Sequence, residues 1–495
     1  MSDDRVRLRT PWLDPRAVAG HARVEPPDPR PPGRGQGPGA PFEPVRPSRT
    51  PAWVTAAYVA FGGLAVVVLG LAASGNGEAL GVLITGPILL AITYYGARRL
   101  AEIDHNPQIV PVIMAGLCIK LLGSFVRYRV SAKLYGTGDF YDYDLWGRKI
   151  GAALRQGHLL TPPGRIAGTN FMRILTGFIY FVTPSRMMSG FAVYGWLGFV
   201  GLLFFWRAYR IALSPKHDLT YLKWLVLMPS LAYWPSAIGK DAFMLLAAGI
   251  AAYGVACLLV NRTSVGVVAL TAGIGGMIMV RPHFALAVCG GLALAVVVRR
   301  NKGEFFRTII SLVFVAALGF AVVHAASSFF GISTFNQASI EKSLNDASAQ
   351  SAEGGSKFKP VVVSSPVKFP LALITVLYRP LPFEAHSPQE LLTALEGTAL
   401  IVLTIRALRR LARAIRRGRQ LPYVIYCLGA LIVFIVAFSG FSNFGILARE
   451  RCVIQPLFLV LLSLPRDIDE LLPEQQALVG AAPAPTPRFA PRPTP

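Results

Sequence analysis

Apolar residues in this chain run in long uninterrupted stretches separated by short polar phrases, so the pattern has neither the period-two alternation of strands nor the striped face of a water-soluble helix. A helix needs roughly 20 apolar residues to cross a bilayer, and about eleven or twelve stretches approach that length. The sequence therefore predicts an all-α polytopic transmembrane helical bundle with external amphipathic helices. The first three spans fall at about 52–72, 79–97 and 109–125. Further spans fall at about 191–209, 221–234, 243–260, 265–280, 284–298, 309–330, 391–408, 423–438 and 453–464. The stretch 171–182 is short and carries Arg173, so it reads as interfacial or re-entrant.

Three regions fall outside this pattern. Residues 1–50 are polar and rich in Pro and Arg, with no apolar signal-peptide core, and 466–495 are rich in Pro and Ala; both read as cytoplasmic tails, the first disordered. The transmembrane domain, 51–465, contains two long external loops, 126–170 and 331–386. In the first, Leu145, Trp146, Ile150, Ala153 and Leu154 recur near helical spacing, predicting an amphipathic helix over Leu145–Arg155 that lies in the lipid interface. In the second, 339–356 reads either as a mobile lid or as a disordered connector.

Composition sharpens this reading. Of 495 residues, 53% are hydrophobic and 15% charged, which excludes a soluble globular protein. The net charge of +23 concentrates in alternate connections: Arg98 and Arg99, Arg207 to Lys223, Arg299 to Arg307, and Arg406 to Arg419. That alternation is the positive-inside signal and places those connections in the cytoplasm; it does not indicate a nucleic-acid partner. The five cysteines lie in or beside apolar runs without CxxC spacing, which indicates neither a zinc site nor a disulfide framework. The expected location is the cell membrane, with both termini cytoplasmic.

With that parity, five polar phrases emerge on the outer face. GTGDFYDYDLW supplies Asp139, Asp142 and Asp144, GKD supplies Lys240 and Asp241, and RPH supplies Arg281 and His283. RPLPFE supplies Arg379 and Glu384, and NFGILARER supplies Asn443, Arg449 and Arg451. Carboxylates at a bilayer edge suit a general base or a divalent-metal ligand facing a lipid-linked headgroup, and on extended backbone Asp142 and Asp144 share a face. The competing reading is that one of them caps the next helix. Lys240 and the outward arginines suit a phosphate or pyrophosphate, since guanidinium donors match its oxygens. Competing readings are an interface anchor for Lys240 and ion pairs of the arginines with Glu384 or Glu450. Lys120, His324 and Glu396 are the main ionisable residues expected at membrane depth. No P-loop, HExxH or GxSxG motif is present.

The acidic first long external loop, the many-helix bundle and the outward cations together resemble the GT-C superfamily of polytopic glycosyltransferases. The phrases WPSAIGKD, MVRPHFA, YRPLPFE and NFGILARER are similar to bacterial membrane proteins related to surface-polysaccharide enzymes. The resemblance implies transfer of a sugar from a polyprenyl-phosphate-linked donor to a glycan, lipid or protein acceptor at the outer face of the cytoplasmic membrane. By position it assigns Asp139, Asp142 and Asp144 as the acidic catalytic set, with Mg or Mn as the divalent metal if one takes part. The chain departs from the superfamily in having three expected spans before the acidic loop instead of one, and in lacking a large soluble domain after the bundle. A flippase or transporter of lipid-linked glycans, or an oligosaccharide polymerase or ligase, is the alternative.

Overall fold

A computed structural model describes residues 51–299, 316–324 and 356–471, with isolated positions between 342 and 351. The expected tails up to 50 and beyond 471, much of the 309–330 span and most of 331–355 lie outside the described residues. The described chain is an all-α polytopic membrane bundle. Its helices are α1 Ala52–Ala73, α2 Gly77–Ile103, α3 Ile109–Tyr128, α4 Asp139–Arg155, α5 Thr169–Val182, α6 Met187–Ala212, α7 Asp218–Leu227 and α8 Pro229–Tyr233. They continue as α9 Lys240–Leu259, α10 Thr263–Val280, α11 Pro282–Val298, α12 Phe369–Tyr378, α13 Pro388–Arg416, α14 Pro422–Phe438 and α15 Phe444–Leu462.

Among the described residues, seven helices are long and apolar enough to cross a membrane: α1, α2, α3 with its π-helical extension to Tyr135, α6, α9, α10 and α13. Three shorter apolar segments, Pro282–Val298, Pro366–Tyr378 and Pro422–Phe438, accompany them. Helix α15 carries Arg449, Glu450 and Arg451 in its first half. At 14 residues, α5 is about 21 Å long, short of the roughly 30 Å hydrocarbon core.

Burial orders the bundle. Only 17% of the apolar window of α1 is buried, against 72% for α6 and α9, so α1 is peripheral and α6 and α9 are central. The central seam depends on small residues. A Cβ added at Gly249 of α9 would lie 2.2 Å from the Gly201 carbonyl oxygen of α6, so the two backbones touch where no side chain intervenes. Helix α10 packs on α9, α11 on α14, and α4 on α5. All five cysteines are free and buried.

Two elements differ from the expected pattern. The predicted 221–234 span is broken into α7 and α8, because Pro229 offers no N–H and holds Met228 in an extended conformation (ψ 117°). The acidic phrase is helical from Asp139 onward, with Gly136 (φ 66°) and Gly138 (φ 144°) making the preceding turn in conformations that favour glycine. Acidic residues in a first helical turn are stabilised by the exposed N–H groups there, so Asp139 and Asp142 open a helix that carries Asp144 in its second turn, instead of an extended loop.

Candidate functional site

Because the aspartates sit on a helix, they point to different partners. Asp142 is gripped by Arg173 of α5 through two bonds of 2.8 Å, from Nε to Oδ2 and from Nη2 to Oδ1. Arg173 also donates to Asn170 Oδ1 (2.7 Å) and lies over the Trp146 ring. Asp144 accepts from Arg148 Nε (2.8 Å) and from the Tyr180 hydroxyl (2.5 Å), and Arg148 reaches Glu78 of α2 at 3.6 Å. These two carboxylates dock α4 onto α5 and α2. Asp139 is exposed and makes no hydrogen bond or ion pair among the described residues. Next to it, burial pushes the Tyr143 phenol up to about 12, and the charge of Asp139 adds to that rise.

Three of the polar phrases meet in one buried ion cluster. Arg281, at the junction of α10 and α11, donates from Nη1 to Glu450 Oε2 (2.7 Å) and Asp241 Oδ1 (3.2 Å). Arg449 donates from Nε to Asp241 Oδ2 (3.0 Å). The cluster joins the start of α9, the α10–α11 corner and the second turn of α15. Lys240, half-buried beside it, has no hydrogen bond or ion pair among the described residues and lies within electrostatic reach of Asp139, Arg281, Asp241 and Glu450. Asp139 is also within reach of Arg449. Arg127 adds a further cation within reach of Asp241, held over the Tyr233 and Trp234 rings at 4.9 and 4.7 Å.

The remaining candidates lie elsewhere and do other work. Arg379 pairs with Glu384, with Nε 2.9 Å from Oε1 and 3.1 Å from Oε2, and it covers the stacked rings of Phe358 and Phe444. Burial works to raise the Glu384 carboxyl, but hydrogen bonds from Arg379 and the Leu381 N–H, with the guanidinium charge, hold it below its ordinary value. Arg451 turns inward instead of outward; it is 1% exposed and donates to the carbonyls of Leu377 (2.8 Å) and Arg379 (3.1 Å), where α12 ends. The Asn443 side chain caps α15, accepting from Gly445 N and Ile446 N. His283 packs against the rings of Phe284 and Phe438.

A second polar network supports the site from below. Glu396 accepts from the Ser230 N–H (2.7 Å), the Ser230 hydroxyl (2.5 Å) and Gln455 Nε2 (2.6 Å). Lys120 Nζ donates to the Leu231 carbonyl at 2.5 Å. Lys120 and Glu396 are buried, as expected for ionisable groups at depth, and both hold α8, the segment leading to Trp234 and Lys240. His324 is exposed. Among the described residues, no group of three or more His, Cys, Asp or Glu side chains is arranged to hold a metal. Asp142 and Asp144 are turned onto separate cations, so the acidic set does not converge on a common point.

Sequence reasoning missed Arg127, Arg148, Arg173 and Tyr180. The arginines lie within or close to the loop that carries the acidic phrase, and a loop expected to be external carries few cations, which was the available signal. Compared with protein-family models, curated proteins and solved structures, the chain matches none of them.

Proposed function

We propose that this protein is a membrane-embedded transferase that passes a sugar from a polyprenyl-phosphate-linked donor to a hydroxyl acceptor at the outer membrane face. The observation that carries this reading is the pair of charged groups with no ion-pair partner among the described residues, Asp139 and Lys240, set beside the Asp241–Arg281–Glu450–Arg449 cluster. In the proposed step the acceptor oxygen forms a bond to the anomeric carbon, the bond from that carbon to the phosphate oxygen breaks, and the electron pair leaves with the phosphate. Asp139 takes the acceptor proton. Lys240 meets the growing phosphate charge, while Arg281 and Arg449 pair with the neighbouring carboxylates Asp241 and Glu450. Asp142 and Asp144, first candidates from the sequence, are assigned to docking α4, because their oxygens are already taken up by Arg173 and by Arg148 with the Tyr180 hydroxyl. No step is routed through a metal, since the acidic residues do not converge.

The test is to profile surface glycans and polyprenyl-linked intermediates by mass spectrometry in a deletion strain complemented with wild type, Asp139→Asn or Asp142→Asn at equal membrane expression. Removing a general base lowers turnover by roughly 10²–10⁴-fold. Asp139→Asn is therefore expected to lose the product glycan and accumulate donor. Full glycan levels in that strain would remove the base assignment, and unchanged glycans in the deletion itself would remove the transferase.

A flippase reading draws on one observation, the break between α7 and α8 at Pro229, since discontinuous helices recur in transporters. Acceptor-free flipping of a lipid-linked glycan in liposomes that survives Asp139→Asn would favour it.

A further inference from the structure

Between the bundle and the start of α13 lies a cavity of about 290 Å³ that the ion cluster does not fill. Its aromatic wall is Tyr135, Trp234 and Phe444, and its polar wall includes Ser356, Gln389 and Thr393. Tyr135 precedes Asp139 by four residues, and Ala448 on the floor precedes Arg449 by one.

We propose that this cavity is a subsite for one uncharged, hydroxyl-rich ring, the pyranose or furanose of the acceptor. Small-molecule pockets begin at roughly 300 Å³, so the volume suits a single ring rather than a disaccharide. Two of these rings, Phe444 and Trp234, are fixed in place. Phe444 is stacked on Phe358 at 4.2 Å under Arg379, and Trp234 lies under Arg127. Fixed rings offer apolar faces to the C–H side of a sugar at little entropic cost. The cavity lining holds no lysine or arginine, and the Glu390 carboxylate in it accepts from the Ser356 hydroxyl and from the His386 N–H (2.7 Å). An anion therefore gains little there, whereas a neutral polyol finds open hydrogen-bonding capacity. The Gln389 amide nitrogen donates to the Tyr233 hydroxyl (3.1 Å), and its side-chain oxygen makes no hydrogen bond among the described residues. The Thr393 hydroxyl donates to the Gln389 backbone carbonyl (2.9 Å) and keeps its lone pairs for an incoming hydroxyl.

The ligand's role as acceptor rests on the transferase reading, but its binding is measurable without any transfer. Full-length protein in phosphatidylglycerol–phosphatidylethanolamine nanodiscs is titrated with the methyl glycosides of glucose, galactose, mannose and arabinose, and separately with inorganic phosphate. The readouts are saturation-transfer NMR for the glycosides and phosphorus NMR line broadening for phosphate. At least one glycoside is expected to bind and phosphate is not. Gln389→Leu is expected to weaken the glycoside by roughly threefold to tenfold, the effect of one hydrogen bond. Ala448→Leu, which fills the floor, is expected to abolish it, and the lipid-facing control Ile88→Ala is expected to preserve it. Absence of signal from all four glycosides, binding of phosphate in their place, or binding unchanged in both cavity variants would overturn the subsite. Asp139-dependent transfer that ignores both cavity variants would retain the transferase and remove the subsite. Sugar binding in a protein that transfers nothing would do the reverse.

Discussion

Replacing Arg281 with Met removes the guanidinium that ties three helices together, and the structure sets the size of the effect. Arg281 is the hydrogen-bonding and ion-pair partner of Glu450, whose side chain is 7% exposed, and no other such partner occurs among the described residues. Asp241 keeps Arg449 at 3.0 Å, so only one carboxylate is orphaned. Leaving one buried charge unpaired costs about 3–5 kcal/mol, far more than the pair itself contributes relative to apolar residues. Glu450→Gln alone leaves Arg281 on Asp241 and is expected to cost about 1–3 kcal/mol, the loss of a charged hydrogen bond. In the double variant Arg281→Met/Glu450→Gln, the orphaned charge is gone, so its stability is expected to exceed that of Arg281→Met by about 1–2 kcal/mol. The assay is SDS titration in mixed micelles, read by maleimide labelling of the five cysteines, all buried until the bundle opens. Arg281→Met within about 1 kcal/mol of wild type, or a double variant no more stable than that single one, would refute the claim that the cluster is a desolvated ion network.

The other expectations follow from single contacts. Since the Glu384 carboxyl sits below its ordinary 4.5 in the folded protein, its contribution to stability is present above that value and is lost as pH falls below it. Wild type is therefore expected to lose more SDS resistance than Glu384→Gln on acidification through that window, and parallel pH profiles would contradict the pairing. Glu396→Ala leaves the Ser230 N–H and Gln455 amide unsatisfied inside the bundle. It is expected to cost about 2–4 kcal/mol in the same unfolding assay and to expose α8 to hydrogen exchange, while a change under about 1 kcal/mol would show that water replaces the carboxylate. Gly249→Ala forces α6 and α9 apart and is expected to destabilise by about 1–3 kcal/mol or more, whereas Gly275→Ala, with open space around it, is tolerated. Equal midpoints for the two alanine variants would contradict the close approach.

Much of the helical framework was legible because long apolar runs have few other solutions in a bilayer, and α1, α2, α9 and α10 lie where the runs predict them. Errors fell where polar residues begin helices. Three aspartates within six positions resemble a loop by composition, yet helix N-termini stabilise acidic side chains, and that competing effect decided α4. Pro229 carried the signal for the α7–α8 break, but an otherwise continuous apolar run concealed it. Span parity put GKD, RPH and ARER on one face, but it put five phrases there and did not single out the three that meet. Their pairing was not readable either: the local partner for Arg449 is Glu450, but adjacent residues on a helix diverge, so each finds its partner on another element, Asp241 and Arg281 respectively. Arg379 and Glu384, five residues apart in a bend, were the pair that sequence could supply.

The charge balance explains why the site leaves Asp139 and Lys240 outside the cluster. Arg127, Lys240, Arg281 and Arg449 face Asp139, Asp241 and Glu450, so the group carries one cation more than it has carboxylates. Direct pairing neutralises Arg281 and Arg449 against Asp241 and Glu450, which offsets the cost of burying them without engaging the two groups that the proposed reaction uses. On the proposed reaction, protonation of Asp139 removes a negative charge within reach of Lys240 at the moment negative charge develops on the leaving phosphate. Proton uptake and leaving-group stabilisation then reinforce one another through a single pair of side chains, each fixed by its position at the start of a helix, Asp139 on α4 and Lys240 on α9. A carboxylate already locked to an arginine, as Asp142 and Asp144 are, has no such coupling to offer.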